Sequence, residues 1–255
     1  MADANIDEVF IGIESPNEDA LRETKKIQNL TDRDGNLLDK VHRIQRAGIE
    51  VWCGMIVGFD SDDETVFDLQ SRFLSEAHIP LAMVNVLVAI PRTPLFARIS
   101  SEGRLDNSGE MSDFGTISTN VIPKRISRQA LCDGYLELMK KLYAPEAYFG
   151  RLDAMYLDSE PALPTARARY LRRHPWSWLK SELRSAIEVT AVFILLMRGI
   201  PDATLRRDYR RRLWNVLRRR PRIALLRVYV IKCALHFHFD RLIAQMHAER
   251  AKLGT

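Results

Sequence analysis

Seven residues of types that bind ligands lie in three polar turns, and each turn follows an apolar run of strand length. These residues are Gly12, Glu14, Ser15, Gly58, Asp60, Pro91 and Thr93. Each turn leads into a helical pattern, whose first N–H groups have no partner within the helix and attract anions. The three turns therefore predict a site for a ligand that carries an anionic or carboxylate group.

The first turn joins the end of a strand to the start of a helix. Residues 9–13 are rich in types that favour a buried strand. Ser15 is suited to the N-cap position, and Pro16 to the first helical position, because its missing N–H costs nothing there. Glu18 lies three residues after Ser15 and completes a capping box. The pattern predicts a strand followed by a helix from residue 16 to about residue 28.

The same unit of strand, polar turn and helix is predicted twice more. Residues 49–59 and 81–90 are apolar runs of strand length. The first run is followed by a second capping-box pattern at 61–64, and the second by Thr93, which can cap a short helix. Strands that are joined through helices are parallel, so their turns share one edge of a sheet. That edge is where ligands bind in parallel α/β folds.

The predicted fold class is α/β: an incomplete parallel β/α barrel followed by an α-helical domain. Three strands cannot close a barrel, and they leave an open edge of the kind that soluble proteins normally cover. We therefore expect further strands, missing from this sequence, to precede Met1. The predicted divisions are residues 1–105 for the barrel part, 106–150 for a helical connection that packs on it, and 151–255 for a basic helical domain.

Charge divides the chain into two unlike parts. Residues 1–150 contain 16 Lys and Arg against 24 Asp and Glu, a net charge of −8, whereas residues 151–255 contain 22 against 9, a net charge of +13. The second part has arginine-rich helical patterns, with Trp176 and Trp178 near their start. Three interpretations stay open: docking on the acidic first part, contact with an anionic membrane surface and, least favoured, nucleic-acid binding.

The composition argues against several classes of protein and site. No apolar run approaches the roughly 18 residues of a membrane-spanning helix, and the N-terminus lacks the basic and apolar regions of a signal peptide. Cys53, Cys132 and Cys233 are too far apart to indicate disulfides or a metal site. His236 and His238 point to different sides of a helix, which also argues against a metal site. A reducing cytoplasm fits best, with membrane association left open.

Three segments of the chain resemble the end of a known barrel. They are 10–15, 55–60 and 90–96, with the sequences FIGIES, MIVGFD and IPRTPLF. These segments are similar to the last three strands of the radical SAM partial barrel, and more narrowly to the cobalamin-binding radical SAM proteins. Residues 119–124 and 142–149 resemble the C-terminal domain of unknown function that follows the barrel in one subfamily of these proteins.

The resemblance implies an enzyme that binds S-adenosylmethionine and reduces it with a [4Fe–4S] cluster to a 5′-deoxyadenosyl radical. Whether cobalamin is used as well is left open. In the family a C-x-x-x-C-x-x-C loop holds the cluster, and this sequence has no such loop. We therefore expect the chain to be the C-terminal portion of a longer enzyme, inactive without its missing N-terminal half. The small-molecule substrate stays unknown.

By the same resemblance, the seven residues named at the outset face S-adenosylmethionine. Gly12, Glu14 and Ser15 match the fourth-strand motif near its amino and ribose groups, and Gly12 permits close backbone approach. Arg92 stands where the family has glycine, so the geometry of that turn is left open. Structural roles remain as alternatives: support of a helix N-terminus for Glu14, and a loop position for Asp60. The alternative function is a non-catalytic helical module that binds a membrane surface or a protein partner.

Overall fold

The computed structural model describes residues 4, 6–24, 26–30, 35–106, 117–159 and 173–253. The first part of the chain alternates strands and helices, and the second part is helical. The first part contains β1 (Glu8–Glu14), α1 (Glu18–Glu23), α2 (Ile27–Leu30), α3 (Leu37–Arg46), β2 (Glu50–Val57), α4 (Val66–Glu76), β3 (Leu81–Val86) and α5 (Pro94–Ser101). The second part contains α6 (Arg128–Leu142), α7 (Pro145–Asp153), a π-helical turn (Ala154–Asp158), α8 (Pro175–Gly199), α9 (Ala203–Arg219) and α10 (Ile223–Leu253).

The three strands form one parallel sheet in the order β1-β2-β3. Phe10 of β1 pairs with Trp52 of β2, which pairs on its other side with Leu81 of β3. Because both pairings are parallel, the carboxyl ends of all three strands lie at one edge. The prediction of a mixed α/β fold with a small parallel sheet is confirmed.

One face of the sheet is covered by helices. Helices α3 and α6 pack against it, and α4 packs beside α6. Cys53, Met55 and Val84 point to this face and are buried, since alternate side chains of a strand share a face. The Tyr135 hydroxyl of α6 donates a hydrogen bond to the Val84 carbonyl at 3.1 Å. This face therefore forms the core of the first part of the chain.

The opposite face of the sheet is largely exposed. Phe10 is 56% exposed and Met83 is 52% exposed, and both lie on this face. Gly54 lies between them in β2, where an added Cβ would be 3.1 Å from the Phe10 ring. Near the amino end of β2, α10 reaches this face through the contact of buried Lys232 with Glu50.

The helices of the second part pack on α10. Both α8 and α9 contact it, and the Tyr209 hydroxyl of α9 is 2.6 Å from Nδ1 of His236 in α10. Arg151 of α7 is buried and donates to the carbonyls of Ile79 and Leu142 at 2.8 and 2.7 Å. One hydrophobic core contains residues from both parts of the chain.

The helix after the first strand is shorter than predicted. A helix over 16–28 is wrong, because α1 begins at Glu18 and ends at Glu23. Its N-cap is Asn17, whose side chain accepts a hydrogen bond from the Asp19 N–H. The Ser15 hydroxyl is not available as the cap, since it accepts from the Asn17 N–H instead.

The second and third units also differ from the sequence pattern at their ends. The capping box predicted at 61–64 is wrong: the N-cap of α4 is Thr65, whose side chain makes no capping hydrogen bond. The two strands end earlier than predicted, at Val57 and Val86. After Val57 the N–H groups of Gly58 and Phe59 donate to the Asp62 side chain. After Val86 the Leu87 N–H still donates to the Val57 carbonyl of β2, and the Ala89 N–H donates to the Asn120 side chain.

Candidate functional site

The first turn places a carboxylate on a residue in a left-handed conformation. Glu14 has a φ of 67°, which costs a non-glycine residue about 1–2 kcal/mol. The register of β1 against β2 shifts between Gly12 and Glu14, and the Ser15 N–H then donates to the Ile13 carbonyl at 2.9 Å. Irregularities of this kind re-aim a side chain at the end of a strand. They direct Glu14 away from the pleat of β1.

The Glu14 carboxylate lies over Gly12 and faces a cation. Its Oε1 is 3.0 Å from Nζ of Lys26, and the Glu14 side chain is 20% exposed. An added Cβ at Gly12 would be 2.7 Å from this oxygen and 3.2 Å from the lysine nitrogen. Gly12 therefore leaves the space that the ion pair occupies. A ligand ammonium or hydroxyl could donate to the same carboxylate.

Ser15 is fully buried, and its side chain serves the turn. Its Oγ accepts a hydrogen bond from the Asn17 N–H at 3.1 Å. Asn17 in turn accepts from the Asp19 N–H at 3.0 Å and starts α1. The hydroxyl of Ser15 thus lies beneath the turn that carries Glu14 and fixes its geometry.

The second turn is held by a buried carboxylate that sequence analysis did not identify as functional. Gly58 has a φ of 104°, and Oδ2 of Asp62 accepts from the N–H groups of Gly58 and Phe59 at 2.9 and 3.0 Å. Burial raises the pKa of Asp62 to about 6, although these hydrogen bonds act to lower it. The available signal was an Asp a few residues after a strand-ending glycine, since short polar side chains bond to nearby turn N–H groups.

Asp60 belongs to a network of three carboxylates and three cations, which we call the Asp60 cluster. Its members are Glu23, Asp60, Arg98, Glu102, Arg104 and Lys124. Oδ1 of Asp60 is 2.6 Å from Nη2 of Arg104, and Oδ2 is 2.5 Å from Nη1 of Arg98. Nζ of Lys124 lies 3.2 Å from Oδ2. Both carboxylate oxygens of Asp60 are therefore engaged by cations of the protein.

The Asp60 cluster also links α1, the second turn and α5. Glu23, at the end of α1, accepts from the Asp60 N–H at 3.0 Å and pairs with Arg98 of α5 at 2.7 Å. Burial acts to raise the pKa of Asp60, but hydrogen bonds from Arg104 and Arg98 hold it well below its usual range. These contacts favour the structural role of Asp60.

Thr93 caps α5, as the sequence pattern predicted. Its Oγ1 donates to the Ile90 carbonyl at 2.6 Å and accepts from the Phe96 N–H at 3.2 Å. Pro94 occupies the first turn of the helix. The cap fixes the direction in which α5 leaves the sheet edge.

The third turn contains an arginine in a conformation that suits glycine. Arg92 has a φ of 68°, which glycine adopts without a steric penalty. Pro91, the preceding residue, is exposed. The question left open by the sequence is thus answered: arginine takes the left-handed conformation, and the turn forms with local strain.

The cysteines do not form a cluster site. Cys53, Cys132 and Cys233 are free and buried. Burial raises the pKa of each thiol, that of Cys53 to about 12. Iron–sulfur clusters are held by thiolates, so these residues do not fit one. Within the described ranges, no three His, Cys, Asp or Glu side chains are grouped to hold a metal ion.

Comparisons with known proteins give both a domain family and longer relatives. Residues 93–252, more than half of the chain, match the family described as Domain of unknown function (DUF4070). The chain is 30% identical over 244 residues to the uncharacterized methyltransferase sll1242 of Synechocystis sp., which covers 94% of this chain and 41% of that protein. It is 30% identical over 223 residues to the hopanoid C-2 methylase of Rhodopseudomonas palustris, which covers 86% and 38%. The chain thus spans about two fifths of the length of these curated relatives, and no solved structure matches it.

Proposed function

We propose that this chain, which belongs to the DUF4070 family, forms the C-terminal part of a radical SAM methyltransferase and supplies the wall that faces S-adenosylmethionine. Two relatives are named as a methyltransferase and a methylase, and the radical SAM assignment rests on the three resembling segments. The observation that carries the proposal is the single edge at which three β-to-α turns lie, with Glu14 held in a left-handed conformation.

The sheet is suited to completion by further strands. Among the described residues, no strand pairs with the outer edge of β1. The exposed side chains of Phe10 and Met83 lie on the face that a barrel would enclose. We assign residues 1–105 to the partial barrel, 106–150 to a connection and 151–255 to the helical domain. The rest of a longer protein would pair with β1 and cover the exposed face.

Glu14 is the residue that we place nearest the amino group of S-adenosylmethionine. Its carboxylate already pairs with the Lys26 ammonium at 3.0 Å, so it can accept hydrogen bonds from a ligand ammonium in the same position. Gly12 provides the space for this contact, and Gly58 and Thr93 shape the adjacent turns. When bound beside the reducing cluster of the longer enzyme, S-adenosylmethionine would supply the 5′-deoxyadenosyl radical and leave methionine.

The iron–sulfur cluster belongs to another part of the protein in this proposal. The three buried cysteines do not fit it, so the residues that hold the cluster, and any cobalamin, would lie in the rest of the longer enzyme. This chain binds and orients the sulfonium ligand and shields one side of it from water. Alone it is expected to hold no iron and to cleave no S-adenosylmethionine.

Anaerobic reconstitution tests the proposal. The chain alone is compared with the protein encoded when the reading frame is extended upstream of Met1, and iron content and S-adenosylmethionine cleavage are measured for both. We expect both properties in the extended protein and neither in the chain alone. In the extended protein, Glu14→Gln should lower cleavage at least about tenfold, because it removes a charge-assisted hydrogen bond, and leave iron content unchanged.

Glu18→Gln is the matched control, since Glu18 is a largely exposed carboxylate of α1 paired only with Arg22 among the described residues. It should cleave like the unmodified protein. An upstream sequence without a cysteine triplet, or an extended protein that holds no iron, would overturn the proposed function. Unchanged cleavage by Glu14→Gln would overturn the role of Glu14 alone.

A further inference from the structure

Helix α8 exposes a row of large apolar side chains, which we call the α8 stripe. The stripe consists of Trp176, Leu179, Leu183, Ile187 and Ile194, which are between 43% and 76% exposed. With 3.6 residues per turn these positions share one side of the helix. Val189 and Leu196, on the opposite side, are buried in the core that α8 forms with α10. A contiguous exposed apolar surface of this kind marks a contact site.

The charges on the same side of α8 are positive. Lys180 and Arg198 lie within the stripe, and Arg184 lies at its border, by helical position. The carboxylates of α8, Glu182 and Glu188, lie on the flanks and are partly buried or paired; Glu188 is 2.9 Å from Arg184. The α8 stripe therefore presents apolar groups and cations together, without a carboxylate among them.

The length and sidedness of α8 suit a helix that lies along a surface. No helix within the described residues is long and apolar enough to cross a membrane. The 25 residues of α8 extend about 37 Å, and one side of this length is packed on α10. At the start of the helix the indole ring of Trp176, which belongs to the stripe, is 76% exposed. Such rings are favoured at the level of lipid headgroups.

We propose that the α8 stripe docks on the surface of an anionic lipid bilayer. The apolar side chains would enter the boundary between headgroups and acyl chains, while the cations reach back to the phosphates along their apolar stems. A protein partner would need an apolar groove with carboxylates opposite each cation, whereas an anionic bilayer offers both features at any register. The net charge of +13 on residues 151–255 acts in the same direction. This inference does not depend on the proposed S-adenosylmethionine site.

Vesicle flotation with the full chain tests the inference. We expect the chain to float with vesicles of equal parts phosphatidylglycerol and phosphatidylcholine, and to stay unbound with phosphatidylcholine alone. The bound fraction should fall as salt is raised, because salt screens the headgroup charge. The double substitution Leu183→Glu and Ile187→Glu places two carboxylates in the stripe and should weaken binding at least about tenfold. Leu69→Glu on α4, at a residue 37% exposed, is the matched control and should bind like the unmodified chain.

A second measurement does not depend on the double variant. Acyl chains that carry bromine should quench the tryptophan fluorescence of the unmodified chain, and replacing Trp176 by Phe should remove most of that quenching. Equal binding to neutral vesicles, unchanged binding by a folded double variant, or absence of quenching would overturn the proposal. The proposal would also be overturned if the chain did not bind vesicles but formed a dimer, and if the double substitution dissociated that dimer. A second copy of the chain would then cover the stripe.

Discussion

Glu50 of β2 and Lys232 of α10 are 182 residues apart in the sequence and form a buried ion pair. Their side chains are 0% and 2% exposed. The Glu50 carboxylate also accepts from the Trp52 indole N–H at 2.5 Å and from the Tyr156 hydroxyl at 2.6 Å. This pair fixes the helical part of the chain to the amino end of the sheet, opposite the edge where the three β-to-α turns lie.

Removing one partner of this pair is expected to be costly. Lys232→Met leaves the Glu50 carboxylate buried without its nearest cation. We expect the free energy of unfolding to fall by about 3–5 kcal/mol, as measured by urea denaturation. The double substitution Glu50→Gln with Lys232→Met should lose less than the sum of the two single substitutions, because the double variant removes both charges of the buried pair.

Lys140→Met is the control for this prediction. Lys140 is 65% exposed and lies 3.8 Å from Glu137, and an exposed pair of this kind contributes less than about 1 kcal/mol. If Lys232→Met and Lys140→Met lowered the free energy of unfolding equally, the buried pair would contribute no more to stability than the exposed pair.

Local sequence patterns predicted most strands and helices of this chain. The roles of its polar side chains depend instead on contacts between residues that are far apart in the sequence. The cap of α5 by Thr93 was predictable because the capping hydroxyl and the Phe96 N–H that donates to it are three residues apart. The partners of Asp60 were not, since Arg98 and Arg104 lie 38 and 44 residues further along the chain. The segment 61–64 was predicted to form a capping box, but in the fold the Asp62 carboxylate accepts from the N–H groups of Gly58 and Phe59. Sequence periodicity reports on neighbouring residues, whereas the Asp60 cluster is formed by residues that are far apart in the sequence.

Asp62 should make stability depend on pH between about 4 and 6. Its pKa in the folded chain, about 6, lies above the usual value because the group is buried. The folded state therefore binds more protons than the unfolded state in this range, and stability falls as the pH rises. Asp62→Asn removes this effect. Relative to the unmodified chain, we expect the variant to gain about 2–3 kcal/mol between pH 4 and pH 7, as measured by urea unfolding at each pH.

The neighbouring Asp63 provides the control for Asp62. It is exposed, and hydrogen bonds from the Thr65 hydroxyl and N–H lower its pKa. Asp63→Asn should therefore leave the stability profile between pH 4 and pH 7 unchanged. A profile for Asp62→Asn that runs parallel to the unmodified chain would show that Asp62 does not titrate in this range.

Asp60 should have the opposite dependence on pH, although it lies only two residues before Asp62. Its cations hold its pKa below the usual range, so the folded state binds fewer protons and the stabilisation is present above about pH 5. We expect Asp60→Asn to lower the free energy of unfolding by about 2–4 kcal/mol at pH 7. The gap to the unmodified chain should narrow as the pH falls below about 4. A gap that is constant from pH 7 to pH 3 would contradict the assignment.

Arg92 should be replaceable by glycine with a gain in stability. Its φ of 68° costs an L-residue about 1–2 kcal/mol, and glycine avoids this cost. Glycine also makes the unfolded chain more flexible, which lowers the stability by up to about 1 kcal/mol. Arg92→Gly should therefore raise the free energy of unfolding by up to about 1 kcal/mol in urea denaturation. Arg72→Gly, at an exposed position inside α4, should lower it by about 1 kcal/mol, because glycine disfavours a helix. A gain in the free energy of unfolding for Arg92→Gly and a loss for Arg72→Gly would show that the third turn has a glycine-type backbone despite its arginine. A loss for both substitutions would contradict this.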